Sequence, residues 1–596
     1  MRGDFVERVG DHLRCFTIAS LSRLPEHLLL HLRRMLRRTV ERIGRTLLLC
    51  MPTLLAVVFY PDLEAPFTHA KSALFYLLLG VILCVAFAIG GRLGWRKSEL
   101  RPLRSATVIF VASAILSSVF SQWRYLGGLA VVWPLTGALL FWATLLLLRD
   151  RPKQLLGSIA FAGCIAAMIS AFQHIAKFDL FRLFGTVSAA PGRMALYGTL
   201  GNPDWLGAFL ALTLPALIGS VMLAQQFWWR IAWFSASVVS LAMTVLTGSR
   251  AAMLATALTI AALTFLHASR WLRFAAMAIA ALLLTVAVIA PQNRRSAATA
   301  LHGRTVIWRA GISTPAPNPL LGSGPNTFSY LYPLRMGTYF GKHPEDVRFA
   351  SYERHAQNDF VEIYAETGLL GLGSLIAIGA VGTMLILRIR SRDPTNAIYA
   401  GTSLAALVAI GALACFDFPL HRAETWTLAW LWLTLPFLHL SAERYESKRY
   451  RFTVVALSVL FLGWSLQAAI RPLVASYNVA IAQRRESFGD LEGAELVLRR
   501  AINLYPANST AQFDLVRVLA KRERYADALE QSHRAEPWMA EPELFLLRSR
   551  ILRAMGRADA ANRTLHESAE RFPYSTLLAE EKAANSQPAS GSVAPR

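Results

Sequence analysis

The sequence predicts an all-α protein: a polytopic helical membrane body followed by a soluble helical domain. Three observations predict it. The 596 residues are 54% hydrophobic and only 17% charged, and the mean hydropathy of +0.39 lies far above a soluble average. The apolar residues gather into runs of about 16–23, long enough to cross a hydrocarbon core of roughly 30 Å as helices. Past residue 472 the runs stop, and a polar pattern of helical period takes over.

Taken in order, residues 1–45 form an Arg-rich amphipathic arm that ends at the first apolar run. The arm carries no cleavable signal pattern and reads as cytoplasmic; a start at Met35 is an alternative. Apolar spans follow near 46–60, 72–90, 105–121, 127–148, 154–173, 204–225, 230–247, 251–267, 273–290, 366–388, 398–416, 424–440 and 452–470. That is about 12–13 transmembrane helices in a membrane domain of 46–470. With the N-terminus in the cytoplasm, the even-numbered loops should carry the basic excess. They do, at Arg92 to Arg104, Arg149 to Lys153, Arg270 to Arg273, Arg388 to Arg392 and Arg444 to Arg451. The same count puts the large loop 291–365 and the C-terminal domain on the periplasmic side.

The segment 472–583 is rich in Ala, Leu, Arg and Glu. Gly489-Asp490, Tyr525-Ala526-Asp527 and Gly556-Arg557 recur at a spacing near 34 residues, and Pro506, Pro537 and Pro573 each follow a helical stretch. Small residues allow close helix pairing and the prolines end each second helix. The period resembles tetratricopeptide repeats, about three of them; a generic stack of helical hairpins is the competing reading. Residues 584–596 read as a disordered tail.

The net charge of +23 sits mostly at helix ends. It suits orientation and anionic lipid in the bilayer, and no nucleic-acid partner is expected. Five cysteines, none in a CxxC pair, read as small core residues. No phosphate-binding glycine loop and no HExxH occurs, and no carboxylate–His set has metal spacing, so no cofactor and no metal is expected.

What remains is a set of polar residues near one membrane face. Arg250 ends Thr247-Gly248-Ser249-Arg250 and reads as an interfacial snorkelling residue or a ligand for an anion. Arg304 and Arg309 flank Trp308 on a predicted short amphipathic helix, again as anchor or ligand. Arg193 lies in the other sizeable external loop. His355, alone, reads most simply as a surface or capping residue. Asp417, His421 and Arg422 share a short turn and suit a local ion pair as well as a site.

Taken in order along the chain, these residues resemble the O-antigen ligase and polymerase superfamily of bacterial inner-membrane glycosyltransferases. The resemblance covers roughly 190–440. It is carried by Gly198-Thr199-Leu200-Gly201-Asn202-Pro203, Thr247-Gly248-Ser249-Arg250, Arg304 with Trp308, Pro319-Leu320-Leu321-Gly322-Ser323-Gly324, and His355 through Asn358-Asp359-Phe360 to Glu366-Thr367-Gly368-Leu369-Leu370-Gly371. The family often reads His-Asn directly, whereas His355-Ala356-Gln357-Asn358 separates the two here. The resemblance implies a GT-C-like membrane fold. It also implies transfer of a glycan from an undecaprenyl-diphosphate carrier to lipid A–core, to another lipid-linked glycan, or to a protein Ser or Thr. The C-terminal repeats occur in only some members and would offer a groove for a protein or glycan partner.

Guanidinium groups stay protonated and hold phosphate oxygens bidentately. Arg250 and Arg304 are therefore expected to take the departing diphosphate without a metal. His355 is expected to receive the proton of the attacking hydroxyl or to orient the diphosphate. Arg193, Arg309, Asn358 and Asp417 are candidate substrate contacts. The two glycine motifs read as packing and turn elements. A flippase or transporter would show duplicated halves and mid-membrane charges, and a scaffold would leave the Arg–His set without purpose.

Overall fold

The computed structural model describes residues 26–89, 92–93, 98–184, 194, 196–267, 270–289, 297–314, 318–393, 396–439, 444–445 and 448–586. Arg193, most of the N-terminal arm and the last ten residues lie outside them.

The membrane body is built from α1 (Glu26–Val57), α2 (Thr68–Ile89), α3 (Arg101–Phe120), α4 (Arg124–Ala130), α5 (Val132–Leu147), α6 (Pro152–Ala176), α7 (Pro203–Leu223), α8 (Phe227–Leu246), α9 (Arg250–His267) and α10 (Arg270–Ile289). The large loop holds α11 (Ala297–Gly311) and α12 (Phe328–Lys342). Next come α13 (Asp359–Arg392), α14 (Ala397–Phe416), α15 (Ala423–Thr434) and α16 (Lys448–Ser487). The C-terminal stack is α17 (Leu491–Leu504), α18 (Ser509–Lys521), α19 (Tyr525–Ala535), α20 (Pro542–Ala554), α21 (Ala558–Arg571) and α22 (Thr576–Ser586). A two-residue antiparallel pairing, Arg92↔Tyr445 and Leu93↔Arg444, ties two connections together.

Every predicted span lies on a helix. Ten helices among the described residues are long and apolar enough to cross a membrane, which makes the chain a multi-pass membrane protein. The other three predicted spans lie on α1, whose N-terminal half is basic, on α10, whose apolar stretch is short, and on α15, which has 12 residues and ends in a 3₁₀ turn. Two boundaries differ from the sequence reading. α1 begins at Glu26, inside the basic arm, because its amphipathic and apolar halves form one helix. α16 runs unbroken through Arg471 and Pro472. The predicted boundary there followed a change in polarity, and the backbone does not break with it. Its 40 residues carry the chain about 60 Å, from the membrane body into the C-terminal stack.

In lipid, helices associate by close packing, since tails are as apolar as side chains. Small residues provide it here. Gly137 lies under Trp426 and Trp430, Gly163 faces Thr213, Gly219 faces Thr402, and Gly382 faces Leu433. By contrast α8 is mostly uncovered, and Phe227, Trp228 and Trp229 stand exposed at its start, as suits an aromatic belt at a membrane interface.

The Gly198–Pro203 motif forms a locked turn. Gly198 N donates to Gln173 Oε1 (2.8 Å), Thr199 Oγ1 donates to Ala56 O (2.6 Å), and Asn202 caps α7 by accepting from Asp204 N (2.8 Å). Buried Lys71 donates to the carbonyls of Leu55 and Val58, both at 2.7 Å, and so satisfies the end of α1.

The other two glycine motifs meet each other. The 318–324 segment lies against the start of α13, with Ser323 N to Ala365 O (3.0 Å), Gly324 N to Glu366 O (2.8 Å), Leu369 N to Pro319 O (3.0 Å) and Leu370 N to Leu320 O (3.2 Å). α13 is broken at Gly368, which has φ 66° and ψ −164°. The Glu366 carboxylate accepts from Asn326 N (2.9 Å) and Phe328 N (3.0 Å) and so caps α12.

The C-terminal stack docks on the large loop. Tyr330 Oη donates to Ala507 O (2.8 Å), and Tyr574 Oη donates to Pro333 O (3.1 Å). Glu64, between α1 and α2, accepts from Asn508 Nδ2 (3.1 Å) and Thr510 Oγ1 (2.6 Å). A Cβ at Gly337 would run into the carbonyl of Arg571. Gly337→Val is therefore expected to loosen this docking, seen as faster limited proteolysis of the C-terminal helices than in the parent protein.

Candidate active site

The site forms where α13 starts, just after the large loop. Asn358 is the N-cap of α13, its Oδ1 accepting from Val361 N (3.0 Å) and its Nδ2 donating to Cys415 O (3.0 Å). This fixes the first turn of α13 and points Asp359 and Glu362 toward the α14–α15 turn. Glutamine 357, two residues after His355, takes a positive φ of 53°, which turns the chain before the helix.

His355 Nδ1 lies 2.8 Å from Glu362 Oε1, while Ala356 N donates to Glu362 Oε2 (2.8 Å). A carboxylate only accepts, so His355 Nδ1 is the donor in this contact, which leaves Nε2 as the opposite edge of the ring. Nε2 makes no hydrogen bond to any described residue. The ring is stacked on Phe418, centroids 4.2 Å apart, and is part-exposed. It is thus held on one edge and one face and open on the other edge.

His421 completes the arrangement. Its Nδ1 lies 2.7 Å from Asp359 Oδ1, and its Nε2 lies 3.4 Å from Glu362 Oε1. Leu420 N donates to Asp359 Oδ2 (3.0 Å). Both His421 nitrogens face carboxylates, so both are donors and the ring is an imidazolium. Burial alone would lower its pKa, but Glu362 and Asp359 outweigh it and push His421 up to about 10. Asp359, His421, Glu362 and His355 thus form one continuous chain of polar contacts. The sign of the stability effect follows: a raised His pKa gives stabilisation complete below about 6.5 and lost as pH rises through about 10. The melting temperature in detergent is expected to fall progressively between about pH 6.5 and about pH 10, and to fall less in His421→Gln. Equal pH responses would contradict the assignment.

Two cavities border His355. The inner one, of about 420 Å³, is lined mainly by apolar and aromatic side chains of the membrane body, among them Tyr76, Phe110, Trp133, Trp426 and Trp464, with His421, Glu366 and Arg471. The outer one, of about 530 Å³, lies between the large loop and the C-terminal stack. His69, Asn326, His355 and Tyr505 line both.

The other predicted site residues are distributed around this centre. Arg250 opens α9, and its Nε donates to Ala287 O at the end of α10 (3.1 Å). Arg304 is half-buried on α11 and makes no hydrogen bond or ion pair to a described residue. Trp308, one turn on, meets Phe416 at 6.3 Å. Arg309 is exposed beside the Tyr339 hydroxyl. None of the three lines either cavity. Asp417 is buried and paired with Arg422 (3.0 Å), whose guanidinium lies over Trp205 and over the Phe418 ring that backs His355. Asn358 spends both ends of its amide within the protein. The structure therefore brings His355 together with Glu362, His421 and Asp359, and sets Asp417 one layer behind.

Glu362 and Asp359 had no role in the sequence reading, and Arg471 was likewise passed over. The available signal was the seven-residue spacing from His355 to Glu362 across an Asn cap, which places the carboxylate one turn into the helix. The sequence showed no metal spacing, yet His355, Glu362 and His421 offer three donor atoms within 4.8 Å of one another. These residues could hold a divalent cation only once His421 Nε2 and His355 Nδ1 have given up their protons, with Asp359 orienting His421 behind it.

Residues 235–376 match a family model described as O-antigen ligase, a stretch from α8 through the large loop into α13 that includes His355 and Glu362. No curated protein matches the chain. The family match supports the O-antigen ligase superfamily and, with it, a glycosyltransferase-type enzyme acting on lipid-linked glycans.

Proposed function

We propose that the chain transfers a glycan from an undecaprenyl-diphosphate carrier to an acceptor hydroxyl at the periplasmic face of the inner membrane. The observation that carries this is a single imidazole, oriented by a buried carboxylate, with its free edge between a membrane-side cavity and an outer one. The apolar inner cavity suits the head of a polyprenyl-linked donor, and Arg471 in its lining suits the diphosphate. Arg250 and Arg304 are proposed to hold the diphosphate as the carrier enters, Arg304 making no hydrogen bond or ion pair to a described residue. Arg193 and Arg309 remain proposed contacts farther out, and Asp417 is proposed to act from behind the site through Arg422.

The step balances without a cofactor. The acceptor oxygen bonds to the anomeric carbon as its proton passes to His355 Nε2. The bond from that carbon to the phosphate oxygen breaks, and its electron pair leaves on the diphosphate. Attack opposite the leaving group inverts the anomeric centre. Glu362 and His421 are positioning residues: Glu362 fixes the His355 edge and faces the charge that develops on the ring, and His421 holds Glu362 in place.

The donor-atom cluster at His355, Glu362 and His421 favours a second reading, in which a divalent ion binds the leaving phosphate. Transfer from a synthetic undecaprenyl-diphosphate-linked glycan, assayed in nanodiscs, separates the two. The proton-relay reading expects full activity after exhaustive chelation and loss of activity in Arg304→Ala, with Arg304→Lys also impaired. Loss on chelation with recovery by added metal would establish the metal reading instead.

A further inference from the structure

We propose that the outer cavity is the acceptor site, that it takes the end of an uncharged or amino-bearing glycan, and that the C-terminal helices form one of its walls. This rests on the reading of His355 as the group that receives the acceptor proton, because His355 is one of the four residues that line both cavities.

The cavity is assembled from three distant parts of the chain. The α1–α2 connection gives Glu64, the large loop gives Asn326 to Pro333 and Tyr352 to His355, and the stack gives Ala507 to Thr510, Phe513 and Trp538 to Glu541. Its volume of about 530 Å³ lies within the roughly 300–1,000 Å³ of small-ligand pockets. Without the stack the cavity has no outer wall. The stack is also fixed there and does not hang free. Glu64 accepts from Asn508 and Thr510, and Trp538 packs against Trp123 (6.1 Å) and Tyr125 (6.0 Å) of the membrane body.

The lining selects a chemical class. Tyr352, Phe513 and Trp538 offer aromatic faces to the apolar faces of sugar rings. Asn326 and Ser509 offer amide and hydroxyl groups to ring hydroxyls. Three carboxylates, Glu64, Glu353 and Glu541, face one guanidinium, Arg354. That surplus of negative charge repels phosphate and carboxylate groups and accepts hydroxyl or ammonium donors. A phosphorylated lipid A–core segment fits this poorly. A neutral or aminated sugar terminus fits it well, and the arrangement makes the stack part of the active site and not only a dock for a partner protein.

The test uses the purified full-length protein in nanodiscs on an array of uncharged, amino-bearing and phosphorylated oligosaccharides together with Ser/Thr-rich peptides. Binding is expected to be confined to uncharged and amino-bearing glycans. It is expected to fall at least about tenfold in Phe513→Ala and in the near-isosteric Glu541→Gln, with the melting temperature of Glu541→Gln showing an intact fold. His355→Gln is expected to keep binding while losing transfer. Binding confined to phosphorylated glycans or to peptides, or glycan binding untouched by both cavity variants, overturns the proposal. Transfer retained by His355→Gln, with array binding as expected, overturns the base assignment and leaves the acceptor cavity standing.

Discussion

His355→Ala is expected to lower the turnover number by on the order of 10²–10⁴, the range that a positioned general base supplies, with donor KM nearly unchanged. The expectation follows from the open Nε2 edge between the two cavities. An interaction made only as the proton moves should appear in kcat and not in ground-state binding. Glu362→Gln carries the same expectation for a different reason. The Gln amide can present its nitrogen to His355 Nδ1, which then flips the preferred tautomer and puts the proton on Nε2, the wrong nitrogen for a base. Glu362→Asp keeps the charge with a shorter reach and should recover part of the loss. The double variant His355→Ala/Glu362→Gln should be little worse than either single one, since the two residues act as one unit. Two losses that simply multiply would separate them. The readout is single-turnover transfer from a lipid-linked donor, with folding checked by detergent melting.

Gly368→Val is expected to produce the largest stability loss in the chain. Gly368 has φ 66°, and Gly322 opposite it has φ 73°. Each would place a Cβ against the other segment's backbone, Gly368 against Leu320 and Gly322 against Glu366. A side chain at such a φ costs about 1–2 kcal/mol by itself. Here four backbone hydrogen bonds between the segments are also displaced, each worth about 1 kcal/mol net. A total on the order of 4 kcal/mol or more is expected for either Gly368→Val or Gly322→Val, visible as a lower melting temperature and reduced yield in the membrane. Gly368→Ala should cost less but remain measurable. The α12 cap depends on the same joint through Glu366, so loss of the joint should also weaken the large loop that presents His355.

The helices were legible because a bilayer imposes a length, and runs of apolar residues meet it without regard to partners. The spans on α1, α10 and α15 were legible as apolar but not as short or half-polar, since packing against neighbours decides those limits. The boundary at 472 was misplaced because a polarity change marks where solvent begins, while α16 simply continues across it. His355 stood out in sequence through its neighbours in the loop. Its partners did not. Asp359 and Glu362 look like ordinary acidic residues in the first turn of a helix, where the dipole alone would favour them. His421 looked like one third of a local ion pair with Asp417 and Arg422. Only the fold shows that Arg422 takes Asp417 while His421 turns the other way, onto Asp359 and Glu362. One glycine motif reads as packing and the other as a turn, but that the two pack on each other is a fact of tertiary structure that no local pattern encodes.

In the proposed mechanism the donor's anomeric carbon meets an acceptor hydroxyl beside His355 Nε2. The most direct measurement is a cryo-EM structure of the full chain in nanodiscs with a non-transferable phosphonate analogue of an undecaprenyl-linked sugar. Diphosphate-like density is expected in the inner cavity, with the anomeric carbon facing the His355 edge and the sugar reaching the junction with the outer cavity. Density for the analogue in a site that does not touch His355, with the inner cavity empty, would contradict it.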